Sequence, residues 1–361
     1  MASSVSRGVD RVLAKCEACI KAGNFYEAHQ MFRTVYFRYS GQQKYDEAAD
    51  LLYRGALILL QHKQYSSGAD LSLLLLDVLS KSQTPVTSDT LNQITHLFEK
   101  MDPECPERYP YLTKAINWSK KINKEHKRGH PDLHQRFGVI FWHERNYPQA
   151  RYHYIHSTDG EGCARMLLEF HTTQGYPSEV DLFITQAVLQ YLCLQNKATA
   201  SVCFEVYTQR HPGIDTGPPF SLPLLNFIWL LLIALEGGKL PVFTVLCEKY
   251  QVSINRDPNY KEYLDQIGQM FFGVPPPQKT PQGIFGSLLQ NVLGSAFSED
   301  DEDGHFPESS GSQTGASSNS PSINNRVLAG ASSPFLPGSS SSLSTPTSSK
   351  PSKTEKALDL D

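Results

Sequence analysis

Two pairs of residues have types and spacings that are found in metal and redox sites. Cys16 and Cys19 form a CxxC, and His130 and His134 are four residues apart, as zinc ligands on one helix are. The cysteine pair lies within an apolar helical pattern and has no second CxxC near it. The histidine pair lacks the glutamate of HExxH, and Pro131 marks a helix start. The sequence therefore favours core packing for the cysteines and helix capping for His130.

A third set, His153, His156 and Asp159, has the residue types of an acid–base site. The run Asp159-Gly-Glu-Gly162 is not an EF-hand loop, which needs acids at alternate positions and a closing glutamate. No Gly-x-Ser-x-Gly, phosphate-binding loop or dinucleotide-binding turn occurs. We therefore expect no enzyme activity, cofactor or metal. A hydrolase with a cryptic site at these three residues remains the alternative from another class.

Charge and cysteine usage limit the partners and the compartment. The 361 residues carry a formal net charge of −4, which gives no general attraction to nucleic acid. The basic run from Lys120 to His130 lacks interleaved aromatic residues, so a solvated surface is favoured there. Seven scattered cysteines and an N-terminus without the apolar core of a signal peptide predict a reduced protein of the cytosol.

The most apolar stretch, Phe220 to Tyr250, raises the question of a membrane span. Its continuous apolar part, Leu222 to Leu235, is shorter than the roughly 20 residues that cross a bilayer, and it ends at Glu236-Gly-Gly-Lys239. We predict a buried helix that the glycine pair terminates, and a second helix whose first turn contains Pro241. No membrane span is expected.

Turns followed by an aromatic residue and an alanine recur along the chain. Phe25, Tyr45 and Tyr65 stand at twenty-residue steps, which is one helix and one tight turn per step, and a further copy begins near Tyr147. A weaker copy ends at Ala198 and Ala200. This spacing predicts an all-α fold, a right-handed α-solenoid of antiparallel helix pairs that diverges from tetratricopeptide repeats.

The composition divides the chain into three parts. We predict a flexible N-terminus over residues 1–8, the solenoid over 9–274, and a disordered Pro-, Ser- and acid-rich tail over 275–361. The last helix of the solenoid is predicted over Asn259 to Phe272. The preceding Val252 to Pro258 alternates in part, which leaves a short β-hairpin and an extended connector as equal alternatives.

Several long stretches resemble one known family. MDPECPERYPYLTKAINWS, HSTDGEGCARMLLEF and GPPFSLPLLNFIWLLLIALEGGKLPVFTVLCEKY, within an ordered match from Val9 to Pro277, resemble the Golgi-to-ER traffic scaffold subunit of the tail-anchored-protein targeting complex. The resemblance implies a non-enzymatic scaffold. It also implies that residues 9–130 face the targeting ATPase, that residues 131–274 face a ubiquitin-like adaptor, and that animal members bind a BAG-family chaperone.

Candidate contacts follow from these implied partners. Cations near the N-terminus suit an acidic ATPase surface, namely Arg7, Arg11, Lys15, Arg33, Arg38 and Arg54. Large apolar residues near the other end suit a groove for an adaptor helix, namely Phe220, Ile228, Trp229, Phe243 and Phe271. The alternative for each apolar residue is simple core packing. The alternative for the whole chain is a solenoid adaptor of another cytosolic complex.

Overall fold

The computed structural model describes residues 11 and 14–275, and these residues form helices and turns without a strand. The described part of the first helix, α1, covers residues 14–21. The other α-helices are α2 (Phe25–Gly41), α3 (Tyr45–Gln61), α4 (Tyr65–Lys81), α5 (Ser88–Lys100), α6 (Arg108–Ile122), α7 (Pro131–His143), α8 (Tyr147–Ile155), α9 (Gly160–Gln174), α10 (Val180–Cys193), α11 (Lys197–Arg210), α12 (Pro223–Gly237), α13 (Leu240–Lys249), α14 (Gln251–Ile254) and α15 (Asn259–Phe272). The all-α prediction is confirmed for this part of the chain. The predicted flexible N-terminus and, beyond Pro275, the predicted tail lie outside the described residues.

The turns between helices repeat one backbone conformation at the predicted twenty-residue step. The residues with positive φ in the first four turns are Gly23, Gln43, Lys63 and Gln83. The amide of the following residue bonds back over five positions, as when Lys44 N–H donates to the carbonyl of Tyr39 at 2.9 Å. This is the closing bond of a Schellman turn, which ends one helix and reverses the chain within three residues. The repeated turn therefore explains the regular pairing of helices.

Small and aromatic residues at each turn allow close packing of the helix pairs. The alanines that follow the turns are fully buried, namely Ala28, Ala48, Ala69, Ala150 and Ala200. Tyr147 is buried as well, and its ring stacks on that of Phe170 with 4.7 Å between the centroids. Phe25, Tyr45 and Tyr65 are half-buried against the core. At the turns that carry an aromatic residue, the alanine is buried in the helix contact and the aromatic residue packs against the core, in agreement with the recurring pattern in the sequence.

Helices of alternate number form two layers. α2, α4 and α6 contact one another in sequence, and so do α3, α5 and α7 on the other side. Consecutive helices such as α3 and α4, or α7 and α8, pack across the two layers. Because most helices contact helices one or two places away in sequence, the arrangement is the α-solenoid predicted from the repeats. At the C-terminal end, α15 instead packs back on α10.

Buried tyrosines tie neighbouring steps together through their hydroxyl groups. Tyr191 Oη donates to the carbonyl of Tyr154 at 2.8 Å, and Tyr207 Oη donates to the carbonyl of Val180 at 2.9 Å. Tyr111 Oη makes the same kind of bond to Ile94. A buried hydroxyl without a partner costs about 1–3 kcal/mol, so these bonds fix which face of the helix points inward.

The apolar stretch forms the predicted helix pair. α12 begins with Pro223 and ends where Gly238 adopts the left-handed conformation (φ 58°), and α13 carries Pro241 in its first turn. Along the described residues, none of the helices is both long enough and apolar enough to traverse a bilayer. The apolar residues of α12 instead pack on α10, α13 and α14.

The suggested β-hairpin over Val252 to Pro258 is wrong. Gln251–Ile254 form α14, in which the amide of Ile254 bonds to the carbonyl of Tyr250 at 3.0 Å. Ile254 is buried, so its apolar character reflects helix packing rather than a strand face. Arg256 after α14 reaches the buried carboxylate of Asp181 at 2.5 Å, which anchors this corner to the start of α10.

Candidate functional site

The CxxC cysteines belong to the helix packing. Cys16 is fully buried, and burial raises the pKa of its thiol to about 11, so the thiol is protonated at neutral pH. Cys19 is half-buried, with its Sγ 3.8 Å from Sδ of Met31. Within the described ranges, no group of three or more His, Cys, Asp and Glu side chains is arranged to hold a metal ion. The pair therefore packs α1 on α2.

Asp159 and His156, two of the three residues of the hydrolase alternative, form hydrogen bonds that stabilise the helical structure. Asp159 caps α9, because its Oδ1 accepts the amide of Gly162 at 2.7 Å and its Oδ2 accepts from Gln135 at 2.9 Å. The ring of His156 donates from Nδ1 to the carbonyl of Tyr152 at 2.8 Å. No relay from a carboxylate through a histidine to a nucleophile links these residues.

The third member of that set, His153, pairs with another histidine. Its Nδ1 lies 3.0 Å from Nδ1 of His134, and both rings are buried. Burial lowers the pKa of His153 well below its ordinary value, so the ring is neutral. His130, for which the sequence favoured capping over zinc binding, caps α7 by accepting the amide of Asp132 on Nδ1 at 3.3 Å. The capping prediction is confirmed.

The candidate cations of the N-terminal half fall into two groups. Arg11, Lys15 and Arg38 are exposed. Arg33 bonds to Asp70 at 3.2 Å and Arg54 bonds to Asp50 at 2.9 Å, so both already serve ion pairs within the chain. Arg7 lies outside the described residues. The exposed group is therefore better placed to meet a partner, and a partner contact at any of these cations stays a prediction.

Two aromatic residues beside these cations were not singled out from the sequence. Tyr26 and Phe37, on α2, are 77% and 57% exposed. The guanidinium of Arg33 lies 5.8 Å from the ring centroid of Phe37. An exposed aromatic residue next to cations is a common composition of interfaces. The sequence did contain a signal for them, because α2 has more aromatic residues than one buried helix face can hold.

The candidate apolar residues of the C-terminal half are mostly core residues. Phe220, Ile228 and Phe243 are buried, whereas Trp229 and Phe271 are half-buried. Phe243 stacks on Phe272, with 4.4 Å between the ring centroids. Core packing, the alternative that the sequence left open, therefore describes the first three residues, and only Trp229 and Phe271 present part of their surface.

A different set of apolar residues faces outward on the last four helices. We define the C-terminal apolar surface as Ile233, Leu240, Val242, Val245, Val252 and Met270, which are between 37% and 87% exposed. α13 contributes three of them, although it also buries Phe243 and Leu246. Apolar side chains that stay exposed beside the buried ones are available to a partner. The excess of apolar residues on α13 over those that the core covers was the signal in the sequence.

The described residues define a helical-repeat protein of the α-solenoid class. The sequence profile of the family Golgi to ER traffic protein 4 matches residues 42–293. The chain belongs to this family.

Individual relatives agree over most of the chain. The Golgi to ER traffic protein 4 homolog of Xenopus tropicalis is 54% identical over 298 residues, which cover 82% of this chain and 91% of the relative. The homolog of Homo sapiens is 53% identical over 297 residues, which cover 82% and 90%. The crystal structure of C. therm. Get4 superposes with a TM-score of 0.70 at 28% identity and covers 81% of this chain and 96% of that chain.

Proposed function

We propose that the chain is a non-enzymatic scaffold of the cytosol that takes part in the post-translational delivery of tail-anchored proteins to the ER membrane. Its N-terminal half, residues 9–130, binds a targeting ATPase, and its C-terminal half, residues 131–274, binds a ubiquitin-like adaptor. A BAG-family chaperone joins the same complex. Family membership supports the traffic role, and the family resemblance supports these particular partners.

The observation that carries the adaptor assignment is the C-terminal apolar surface. Val242 and Val245 are half exposed on α13, on which Phe243 is buried. Burying one such valine or leucine at an interface yields about 1.5–3 kcal/mol, so a few of them are enough to hold a partner helix. A protein that bound no partner at this surface would have no need for these exposed valines.

 The ATPase assignment rests on the exposed cations Arg11, Lys15 and Arg38. The exposed ring of Phe37 lies next to Arg38 on α2. Exposed cations raise the rate of encounter with an acidic surface more than they raise the final affinity. We therefore assign them to capture of the ATPase.

Two alternatives remain for comparison. A solenoid adaptor of another cytosolic complex would have the same fold and a similar outer surface, and only its partners would differ. A hydrolase would need His153, His156 and Asp159 to act together, whereas each of these side chains holds a separate structural bond. The identity of the partners therefore decides between the proposal and its closer rival.

Reconstitution from purified proteins tests the proposal. The full chain is mixed with the ATPase and the adaptor, and complexes are resolved by gel filtration with light scattering. We expect one complex that contains all three proteins, and the C-terminal region of the BAG-family chaperone should join it. Failure of the chain to bind either the ATPase or the adaptor would refute the proposal and favour the other-complex alternative.

Matched variants separate the adaptor contact from general effects. Val242→Asp with Val245→Asp should weaken adaptor binding at least tenfold and leave ATPase binding unchanged, because a carboxylate cannot be buried unpaired. Val202→Asp is the control, since Val202 on α11 is 45% exposed, close to the 53% of Val245. Equal losses in both variants would show that the C-terminal apolar surface is not the adaptor site.

A further inference from the structure

A cluster of cations lies in the last turn of α6 and in the loop between α6 and α7, and it shares no residue with the surfaces assigned above. We define the basic surface as Lys120, Lys121, Lys124, Lys127 and Arg128. Four of these residues are exposed and Lys120 is half-buried. The ion pairs formed between described residues include none of these five side chains. The five charges are therefore available to a ligand from outside.

The loop that carries these cations is held in place by the core. The buried ring of His134 donates from Nε2 to the carbonyl of Arg128 at 3.0 Å, and the amide of His130 donates to Oγ of Ser119 at 3.0 Å. Gly129 has a φ of +112°, and a Cβ at this position would lie 2.8 Å from Nε2 of His134. Because the loop is fixed in advance, a ligand loses little affinity to ordering it.

An exposed aromatic ring of α8 lies near the loop that carries Arg128. Tyr152 is 47% exposed, and its ring lies 4.6 Å from that of His156, measured between centroids. The ring of His134, which bonds to the carbonyl of Arg128, lies 6.4 Å from the ring of Tyr152, measured between centroids. The loop with its cations and the ring of Tyr152 are therefore neighbours.

We propose that the basic surface binds a short acidic peptide segment of a partner protein, with Tyr152 contacting an apolar or aromatic side chain of that segment. The basic surface lies within residues 9–130, but this contact uses neither the N-terminal cations nor the C-terminal apolar surface on which the proposed function rests. Its chemistry is charge complementarity around one aromatic anchor. Individual exposed ion pairs are weak, so the affinity should be on the order of 10 µM at low salt.

The composition of the surface favours a peptide over nucleic acid or a membrane. Strong nucleic-acid binders neutralise about 6–10 phosphates, more than the five cations present here, and the formal net charge of the chain is −4. Polybasic membrane contacts usually need a second anchor such as an acyl chain or an amphipathic helix in the bilayer interface. An acidic segment of a few residues matches the size of this cluster.

A labelled peptide provides the direct test. A fluorescein-labelled 12-residue peptide of Asp and Glu with one central Phe is titrated with the full chain at 50 and 200 mM NaCl, and anisotropy is measured. We expect saturable binding that weakens about tenfold at the higher salt, because exposed charges are screened. The same peptide with Asn and Gln in place of the acids should not bind. Absence of saturable binding at low salt would overturn the proposal.

Charge-reversal variants locate the contact. Lys124→Glu, Lys127→Glu and Arg128→Glu together should weaken peptide binding at least tenfold. The control variant combines Lys21→Glu, Lys44→Glu and Lys81→Glu, which are exposed lysines elsewhere and give the same change in net charge. The control should lose less than about threefold, the residual effect of a more negative chain. Equal losses in the two variants would overturn the assignment to the basic surface.

Two further measurements complete the test. Tyr152→Ala should weaken binding about threefold without changing its salt dependence, because it removes an apolar contact and no charge. If the charge reversal lowers the melting temperature, Lys124→Gln with Lys127→Gln replaces it and should weaken binding by about fivefold. A 12-nucleotide uridine RNA and phosphatidylserine vesicles are tested in parallel. Binding of either one at 200 mM NaCl more tightly than the peptide would overturn the choice of ligand.

Discussion

The ring of His211 donates a hydrogen bond to the ring of His171 across 2.8 Å, from Nε2 to Nδ1. The direction follows from the outer partners. The Nδ1 atom of His211 accepts the amide of Gly213 at 3.0 Å, so its proton is on Nε2. His171 in turn donates from Nε2 to the carbonyl of Tyr176 at 2.9 Å. Both rings must therefore be neutral to complete the chain of bonds that joins α9 to the end of α11.

Acid should destabilise the fold through its buried histidines. Burial, with His171 next to it, lowers the pKa of His211 to about 4, and burial lowers the pKa of His134 to about 4 as well. In the unfolded chain both titrate near the ordinary value of about 6.5. Their stabilising effect is thus complete above about pH 6.5 and is lost as the pH falls toward 4. For His134 we expect a loss of about 2 kcal/mol between pH 7 and pH 5, measured by urea unfolding.

A pair of variants checks the origin of this pH dependence. His134→Gln should reduce the slope of the unfolding free energy against pH between pH 7 and pH 5. The reduction should correspond to about one proton fewer taken up on unfolding. His143→Gln, at an exposed position on the same helix, should leave the slope unchanged. A slope that is the same in all three proteins would show that other groups cause the acid sensitivity.

Glycine in the tight turns should stabilise the protein. Lys63 and Gln43 have φ values of 58° and 55°, a conformation that costs a residue with a Cβ about 1 kcal/mol or more. Lys63→Gly and Gln43→Gly should each raise the free energy of unfolding by about 0.5 kcal/mol, after the larger entropy loss of glycine is included. Chemical denaturation measures the change.

The first turn gives the reverse control for that prediction. Gly23 has a φ of 79°, and no atom lies within 4 Å of where its Cβ would be. Gly23→Ala should therefore lower stability by about 1 kcal/mol through backbone strain alone. Stabilisation by Gly23→Ala, or destabilisation by Lys63→Gly, would contradict this account of the turns.

Core and surface residues of the last helices should respond in opposite ways. Ile228 is fully buried, so Ile228→Ala should lower the free energy of unfolding by about 2–5 kcal/mol. Val245 is 53% exposed, so Val245→Ala should change stability by less than about 0.5 kcal/mol while it weakens adaptor binding. Thermal melting and a binding titration on the same samples separate the two effects. A stable Ile228→Ala protein with reduced adaptor affinity would instead restore Ile228 as a groove residue.

The exposed cations should matter more for ATPase capture than the paired ones. Reversal of Arg11, Lys15 and Arg38 to Glu should slow association with the ATPase at least tenfold at low salt and leave adaptor binding unchanged. Arg33→Gln should have a smaller effect, because Arg33 is already bonded to Asp70. Stopped-flow association rates at two salt concentrations measure this. Unchanged association in the triple variant would refute the cation assignment.

The repeat pattern made most of the fold predictable. The twenty-residue spacing of Phe25, Tyr45 and Tyr65 marks the start of α2, α3 and α4, and the last helix was placed at its observed limits, Asn259–Phe272. Gly238 and Pro241 likewise end one helix and open the next where expected. These features depend on the conformational preferences of residues at helix ends and in turns, which can be read from the sequence itself.

The outward faces were harder to predict, because they depend on how helices pack. In α13, Phe243 and Val245 are both apolar, and only the position of α15 decides that Phe243 is covered while Val245 is not. The preference for large aromatic residues at interfaces therefore selected core residues. At Val252, alternation over a few residues suggested a strand, although the chain continued as a helical turn.

The repeated turn makes the length of the solenoid easy to change. Gln43 and Gln83 stand forty residues apart in the same backbone conformation, and the segment between them holds one complete pair of helices. If such a segment were duplicated, the same turn conformation would stand at both junctions. The stack would lengthen by about 10 Å, the spacing of packed helices. One duplication or deletion would therefore change the distance between the N-terminal and C-terminal surfaces of the solenoid and leave both surfaces intact.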